Sequence, residues 1–263
     1  MKKLIKKLEA IKKFGITAVK QSLEDEGASF KDIIIMRKIT KAINVDLNVK
    51  IGGCEAKNDI FFCNKIKADS IVAPMVESEY ALRKFIQCVN VRKNTSFLWI
   101  NLETNLSLNN LNRIIKSKPF KFLDGIVIGR SDLAGSLNLT RQEVNSKLIF
   151  NKVRNAFKKI KSTSRKKLIF KMGGSITPMS SNFINKLYLE NLLHKIETRN
   201  IEMKLSKYII NNLEHIIPKI YDFELEWLKF KLNMAENKKN RLVSMDYSSR
   251  IKEIEKRLEK MND

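Results

Sequence analysis

The sequence predicts an α/β fold, a TIM-type (β/α)8 barrel with a C-terminal helical extension. Three observations favour this fold. Short apolar runs alternate with stretches of helical periodicity along most of the chain. Two of these runs are followed by an acidic residue, as expected where functional side chains gather at the carboxyl ends of barrel strands. The strand pattern stops near residue 217, and only helical periodicity continues beyond it.

Seven apolar runs have the length and composition of strands that are buried on both faces. They lie at residues 16–20, 47–51, 70–73, 97–100, 125–129, 168–172 and 196–199. Stretches with helical spacing separate them, at residues 33–43, 55–66, 77–89, 106–115 and 145–160. This alternation implies a parallel sheet, and the number of strands favours a closed barrel over the alternative, an open doubly wound sheet. We expect the missing eighth strand before Leu168 or around Asn182 and Phe183.

The last part of the chain has a different character. From Pro218 onward there is almost no glycine or proline and no strand pattern. Apolar residues recur there at three- and four-residue steps, the a/d pattern of a coiled coil, at Ile251, Ile254, Leu258 and Met261. We therefore predict a barrel domain at 1–217 and a helical extension at 218–263. Two heptads are too short to be stable alone, so the extension must pack on its barrel or on a neighbouring subunit, and we favour the subunit contact.

The composition is that of a strongly basic globular protein. Of 263 residues, 51 are Lys or Arg and 28 are Asp or Glu, and 43% are hydrophobic, which is enough for a full core. The lysines are spread along the chain, so we expect a charged surface and no nucleic-acid-binding patch. The sequence has no run of about eighteen apolar residues, so we predict no membrane span. It has no signal-peptide pattern, and its cysteines lack metal-ligand spacing, which favours a cytoplasmic protein.

Glu103 and Asp132 are the strongest candidate site residues. Glu103 follows the apolar run at 97–102, and Asp132 follows the run at 125–129. Because parallel strands bring their carboxyl ends to one edge, we expect both carboxylates at the same mouth of the barrel, where they can bind a hard divalent cation. Gly129 leaves room for a ligand beside them. The alternative for Asp132 is that it only caps the helix that follows.

Other polar residues adjoin this pair or follow other strands. Arg130 and Ser131 directly precede the second acid, and we expect them, together with Gly129, to contact a substrate. Gly52 lies in a Gly-Gly turn after the second strand, where it either faces a ligand or only makes the turn. Arg199 follows the last candidate strand and either binds a substrate carboxylate or pairs with a neighbouring acid.

These segments are similar to those of a known family. The sequence INLET at 100–104 resembles a family strand that ends in Glu-Thr, and GRSDL at 129–133 resembles the family's Gly-x-x-Asp-Leu motif. The stretches at 50–56 and 72–77 support the likeness, which extends over about residues 15–200. On these motifs the chain resembles the HpcH/HpaI-type 2-keto-3-deoxy acid aldolase and citrate lyase β-subunit family, whose members are pyruvate-handling, metal-dependent barrels.

The resemblance implies roles for several residues. Glu103 and Asp132 would hold Mg²⁺ or Mn²⁺, and the cation would bind pyruvate or oxaloacetate and stabilise its enolate. The family usually has an arginine at the end of the second strand, where this chain has Lys50. It also has an acid/base histidine after the first strand, where this chain has only acids. We therefore expect Lys50 to neutralise the substrate and Glu26 to transfer a proton, unless Glu26 is an ordinary exposed acid.

The resemblance predicts a class II, metal-dependent aldolase or lyase that makes or breaks a carbon–carbon bond next to a 2-oxo acid, with a sugar-acid-like substrate. One alternative is a citrate-lyase-like enzyme that acts on an acyl-CoA thioester. Another is a non-catalytic basic binding protein on the same scaffold, which the missing histidine allows. We expect a small-molecule 2-oxo acid as the partner, no nucleic acid or membrane, and a homo-oligomer.

Overall fold

The strands form one closed barrel in chain order, which confirms the predicted fold. The structure is a computed structural model that describes residues 1–24, 27–236 and 241–262. The strands are β1 (Ile16–Ser22), β2 (Asp46–Lys50), β3 (Ser70–Ala73), β4 (Phe97–Asn101), β5 (Gly125–Gly129), β6 (Ile169–Gly173), β7 (Lys195–Glu197) and β8 (Ile201–Lys204).

Helices precede the barrel, connect its strands and follow it. They are α1 (Lys2–Lys12), α2 (Phe30–Ala42), α3 (Lys57–Ile66), α4 (Glu79–Val89), α5 (Asn105–Asn109), α6 (Leu111–Lys116), α7 (Arg130–Gly135), α8 (Lys147–Thr163), α9 (Ser181–Leu189), α10 (Lys207–Asn211), α11 (Leu213–Glu236) and α12 (Arg241–Asn262). Short 3₁₀ turns lie at Lys118–Phe122, Arg141–Asn145 and Pro178–Ser180. Within the described ranges, none of the helices has both the length and the apolar character that crossing a membrane requires.

The eighth strand departs from the parallel pattern. Neighbouring strands from β1 to β7 pair in parallel. In contrast, β8 is antiparallel to both β7 and β1. β7 and β8 therefore form a hairpin, and its turn at 198–200 lies at the carboxyl ends of the other strands. The expected position of the eighth strand was wrong, because Asn182 and Phe183 belong to α9 and the strand lies at Ile201–Lys204.

Hydrophobic side chains between the strands and the helices form the main core. Leu47 and Val49 of β2 and Leu82 and Phe85 of α4 are completely buried in it. Each such side chain stabilises the fold by about 1.5–3 kcal/mol relative to an exposed one. α4 starts where it does because the Ser78 side chain accepts a hydrogen bond from the backbone of its first turn.

The inside of the barrel is largely polar. Glu202 of β8 accepts hydrogen bonds from Lys195 at 2.6 Å and from Asn48 at 2.8 Å. It also forms an ion pair with Lys171 of β6, whose side chain has no exposed surface. A small apolar cluster separate from the main core consists of Val72, Trp99 and Val127. A buried ion pair network thus takes the place of the layered aliphatic side chains that fill many barrels.

The Trp99 ring occupies space that is available only because the next strand has a glycine, Gly125, beside it. A Cβ atom at Gly125 would lie 2.1 Å from the Trp99 ring, and Trp99 is itself almost fully buried. We predict that Gly125→Ala destabilises the protein by about 1–3 kcal/mol or more, because the ring has to move within a packed barrel. Chemical unfolding measures this difference. Gly135→Ala is the matched control, since nothing lies within 4 Å of a Cβ there. An equal loss in both variants would contradict the prediction.

The helical extension packs on its own chain. α11 runs beside α1, where the Lys7 ammonium lies 2.5 Å from the Asp222 carboxylate. α12 folds back along α11, and Ile251 and Ile254 of the a/d pattern are buried there. The apolar stripe that we assigned to a subunit contact is therefore used within the chain. The homo-oligomer and the domain boundary at 217 stay predictions.

Candidate active site

The carboxyl ends of the barrel strands open into a cavity of about 920 Å³, its open mouth included. Its wall combines residues from the ends of the strands with residues of α7, the β7–β8 turn, α11 and α12. Both acids that the sequence singles out, Glu103 and Asp132, belong to this wall. The cavity is thus located where catalytic sites of barrel enzymes occur.

The two carboxylates converge over Gly129. Glu103 follows β4, and Asp132 lies in the first turn of α7. A Cβ atom at Gly129 would lie 2.7 Å from Glu103 Oε2 and 3.7 Å from Asp132 Oδ2. A side chain at this position would therefore occupy the space between the two acids. The N-cap residue of α7 is Gly129, which has no side chain, and Asp132 is the acidic residue in the first turn of this helix.

The Glu103 carboxylate is buried and held in place by neighbouring groups. Oε2 accepts a hydrogen bond from Asn101 Nδ2 at 2.8 Å, and Oε1 accepts one from the Met75 backbone N–H at 3.1 Å. Met75 has φ +50°, a left-handed conformation that is unfavourable for a side chain of this kind. Backbone strain and two donors thus fix the orientation of Glu103.

Burial is the main reason why the pKa of Glu103 lies above its usual value. The charge of Asp132 adds to this rise, whereas Lys50 and the hydrogen bonds from Asn101 and Met75 oppose it. A second cation near the pair would favour the ionised form further. Positive charge between the two acids would therefore stabilise their ionised carboxylates.

Lys50 supplies part of that charge. It is the last residue of β2, is buried, and lies in the cavity wall. Its ammonium lies 3.7 Å from Glu103 Oε1 and 2.7 Å from Glu24 Oε2. The structure thus brings Lys50 next to Glu103, one of the two candidate metal ligands. Glu26, the predicted proton-transfer residue, lies outside the described residues.

The residues expected to contact substrate separate into two groups. Gly129 and Ser131 line the cavity, and Ser131 Oγ lies 3.1 Å from Ser175 Oγ. Gly52 is exposed at the β2–α3 connection, where its N–H donates to Asp59 at 2.8 Å, and it is not part of the cavity wall. Gly52 thus lies in the turn after β2, and its contact with a ligand stays a prediction.

Arg130 lies behind the cavity wall. Its side chain is fully buried, and it is not among the cavity residues. The guanidinium donates to Asn145 Oδ1 at 2.6 Å and to the Gly174 carbonyl at 2.8 Å, and it stacks 4.9 Å from the ring centre of Phe183. These contacts tie Arg130 to the loop that follows β6, and its contact with a substrate stays a prediction.

Several cavity residues come from segments that the sequence did not connect with the site. Lys20 of β1 contacts Glu197 of β7 at 3.0 Å across the cavity floor. Tyr221 of α11 donates to the Ile176 carbonyl at 2.8 Å. Arg141 and Arg257 reach the mouth from a 3₁₀ turn and from α12. These positions are far apart in the chain and carry no local motif, so only the fold brings them together.

The carboxylate pair fits a hard cation. Its oxygen atoms are the ligand type that Mg²⁺ and Mn²⁺ prefer, and Gly129 has no side chain of its own to fill the space between them. In the described part of the chain, no cluster of three or more His, Cys, Asp or Glu side chains is arranged to hold a metal. Glu103 and Asp132 would therefore leave most coordination positions to water and substrate, which is typical of magnesium sites.

Comparison with known proteins gives one family match. The family model described as HpcH/HpaI aldolase/citrate lyase matches residues 36–179, a segment that includes Lys50, Glu103 and Asp132. No curated protein matches the sequence.

Several solved structures have a similar fold. The citrate synthase SbnG is 15% identical, with a TM-score of 0.59 over 72% of this chain and 80% of that chain. An HpcH/HpaI aldolase from Desulfitobacterium hafniense is 14% identical, with a TM-score of 0.56 and the same coverage of 72% and 80%. A family protein from Burkholderia cenocepacia is 13% identical, with a TM-score of 0.55 over 72% of this chain and 81% of that one. At these identities the likeness concerns the fold alone.

Proposed function

Because the chain belongs to the HpcH/HpaI aldolase/citrate lyase family, we propose that it is a divalent-metal-dependent lyase acting on the carbon–carbon bond next to a 2-oxo acid. The observation that carries this proposal is the pair of carboxylates, Glu103 and Asp132, that face the same space above Gly129 in the barrel mouth. The proposed substrate is a sugar-acid-like 2-oxo acid, and the proposed product is pyruvate or an equivalent acid.

Glu103 and Asp132 would hold Mg²⁺ or Mn²⁺. When bound, the cation supplies Lewis-acid stabilisation of the negative charge that develops on the oxygen of an enolate. Lys50 then balances the charge of the substrate carboxylate, because its ammonium already lies next to Glu103 in a buried wall. Lysine provides a point charge where an arginine would bind two oxygens at once.

The proposed reaction also needs a group that transfers a proton. No histidine belongs to the described wall of the cavity. The acidic segment after β1 supplies the candidate, since Glu24 contacts Lys50 and Glu26 follows two residues later. We assign proton transfer to Glu26. A carboxylate can serve in this role when its surroundings raise its pKa towards neutrality.

A metal-dependence assay tests the proposal. Purified protein, treated with EDTA, is given Mg²⁺ or Mn²⁺ and a panel of oxaloacetate, 4-hydroxy-2-oxo acids and 3-hydroxyacyl-CoA thioesters. Release of pyruvate is followed, or, for the thioesters, release of an oxo acid together with a shorter acyl-CoA. We expect pyruvate release that requires added metal. Release from the thioesters alone would replace the aldolase proposal with the citrate-lyase-like alternative. Activity that survives EDTA unchanged would contradict the metal role.

A further inference from the structure

Three arginines gather at the mouth of the active-site cavity, and each comes from a different element. Arg141 begins a 3₁₀ turn after α7, Arg199 occupies the turn between β7 and β8, and Arg257 lies on α12. All three line the cavity that also contains the two candidate metal ligands. Arg199 and Arg257 lie beyond residue 179, where the family match ends. Two of the three arginines therefore belong to the C-terminal part of the chain, and Arg141 lies within the matched segment.

Glu253 of α12 is the counter-ion of this arginine cluster. Its carboxylate lies 2.6 Å from Arg141 Nη1 and 2.6 Å from Arg257 Nη2. Burial alone would raise the pKa of Glu253, but the charges of Arg257, Arg141 and Arg199 outweigh burial and lower it. Two carboxylates, those of Glu253 and the buried Glu224, interact electrostatically with the three guanidinium groups, so the cluster retains an excess of positive charge that a further anion can neutralise.

Arg199 is held at the mouth by its neighbours. Thr198 Oγ1 donates to Glu224 Oε1 at 2.6 Å, and the Asn200 backbone N–H donates to the same oxygen at 2.7 Å. Glu224 belongs to α11 and is almost fully buried. Both residues next to Arg199 are therefore tied to a rigid helix, which fixes the position from which Arg199 extends.

We infer that Arg141, Arg199 and Arg257 form a second anion subsite, which binds a distal carboxylate or phosphate of the substrate while the other end occupies the site of Glu103 and Asp132. This inference rests on the proposed function and narrows its substrate class to 2-oxo acids with a second acidic group. Guanidinium groups suit this task because they bind carboxylate and phosphate oxygens through paired hydrogen bonds. Glu253 is the counter-ion that holds the arginines in place when no substrate is bound, and the distal anion of the substrate takes over this role.

Calorimetric binding with a matched pair of ligands tests the subsite. 2-Oxoglutarate and 2-oxopentanoate have the same chain length, and only the first has a distal carboxylate. In the presence of Mg²⁺, we expect 2-oxoglutarate to bind at least about tenfold more tightly, the minimum for charge-assisted hydrogen bonds of this kind. A phosphonate analogue, 2-oxo-4-phosphonobutyrate, compares phosphate with carboxylate chemistry. Equal affinities for all three compounds in the unmodified protein would overturn the inference.

Variants on α12 separate the subsite from general charge effects. Arg257→Gln should lower the affinity for 2-oxoglutarate about tenfold or more and leave 2-oxopentanoate unchanged. Lys256→Gln is the matched control. It removes one positive charge, as Arg257→Gln does, but Lys256 is exposed and lies outside the cavity wall. Glu253→Gln should increase the affinity for 2-oxoglutarate several-fold, because it removes the competing carboxylate. A loss of affinity in Glu253→Gln, or an equal loss in Lys256→Gln, would contradict the inference.

A binding measurement with inorganic phosphate tests the arginine subsite without relying on the proposed function. If neither 2-oxo acid binds in the presence of Mg²⁺, the proposed function fails, and phosphate alone then reports on the arginines. We expect phosphate binding to weaken in Arg257→Gln and to persist in Lys256→Gln and in Glu103→Gln. Phosphate binding that is indifferent to Arg257 would overturn the subsite in either case.

Discussion

Replacing Glu103 by glutamine is expected to abolish metal-dependent turnover and leave the fold intact. The variant keeps the shape of the side chain and its neighbours Asn101 and Met75, but it removes one of the two charged ligands. Metal stabilisation of a developing enolate is worth several kcal/mol, so we expect a loss in kcat of at least about 10³-fold. Electron paramagnetic resonance of bound Mn²⁺ should show a parallel loss of metal affinity.

Stability measurements distinguish this loss from misfolding. Glu103 is a buried negative charge beside Asp132, so in metal-free buffer the melting temperature of Glu103→Gln should stay equal to that of the unmodified protein or rise. Glu55→Gln is the control, because Glu55 is an exposed acid that pairs with Lys84 away from the cavity. Unchanged Mn²⁺ affinity in Glu103→Gln would remove the metal site from the proposal.

Replacing Glu202 by glutamine is expected to cost about 3–5 kcal/mol of folding free energy, because it leaves buried lysine charge without its main partner. Lys171 has no exposed surface, and its other acidic neighbour, Glu197, lies 3.4 Å away and also contacts Lys20. Urea unfolding at neutral pH measures the difference.

The control for Glu202→Gln is a surface carboxylate with two cationic partners. Glu190 pairs with Arg154 at 2.7 Å and with Lys158 at 3.1 Å, and its removal should cost no more than about 1 kcal/mol. The double variant Lys171→Met with Glu202→Gln should recover part of the stability, since it removes the uncompensated charge. Equal effects at Glu190 and Glu202 would show that the barrel network is not the source of the stability.

The same network predicts a pH dependence. Burial alone would raise the pKa of Glu202, but Lys171 and Lys195 outweigh it and lower the pKa from 4.5 to about 2. A carboxylate with a depressed pKa stabilises the fold above its unfolded pKa and loses this contribution as the pH falls towards the folded pKa. The stability difference between the unmodified protein and Glu202→Gln should therefore shrink between pH 4.5 and pH 2. Unfolding curves across this range check the trend.

Residues that depend on strand ends were predictable from the sequence. Glu103 and Asp132 each follow a short apolar run, and parallel pairing brings the ends of neighbouring runs together regardless of the rest of the chain. Arg130 lies between Gly129 and Asp132 in the sequence, yet its side chain turns behind the β6 loop. Side-chain direction at the start of a helix depends on tertiary contacts, and the sequence pattern does not contain them.

The eighth strand was missed for a physical reason. The sequence of β8, IEMK, alternates apolar and charged residues, and Glu202 points into the barrel to meet Lys171 and Lys195. A buried strand is predicted from apolar residues at its inward positions. A strand whose inward side chain is ion-paired lacks this hydrophobic pattern. The sequence singled out Arg199 alone of the arginine cluster. Arg141 and Arg257 were not predicted, since only the closed barrel and α12 bring them next to Arg199.

The direction of β8 determines where the chain can go next. In an all-parallel barrel, the eighth strand ends at the catalytic rim and the helix after it returns to the far end. Here β8 finishes at the far end, where the Lys204 N–H donates to the carbonyl of Gly15 just before β1. The 24 residues of α11, about 36 Å of helix, then run back in the direction of the rim, and α12 lies across it. Because β8 is reversed, residues of the C-terminal helices line the cavity, so substitutions there can change which ligand the cavity accepts without altering the strands of the barrel.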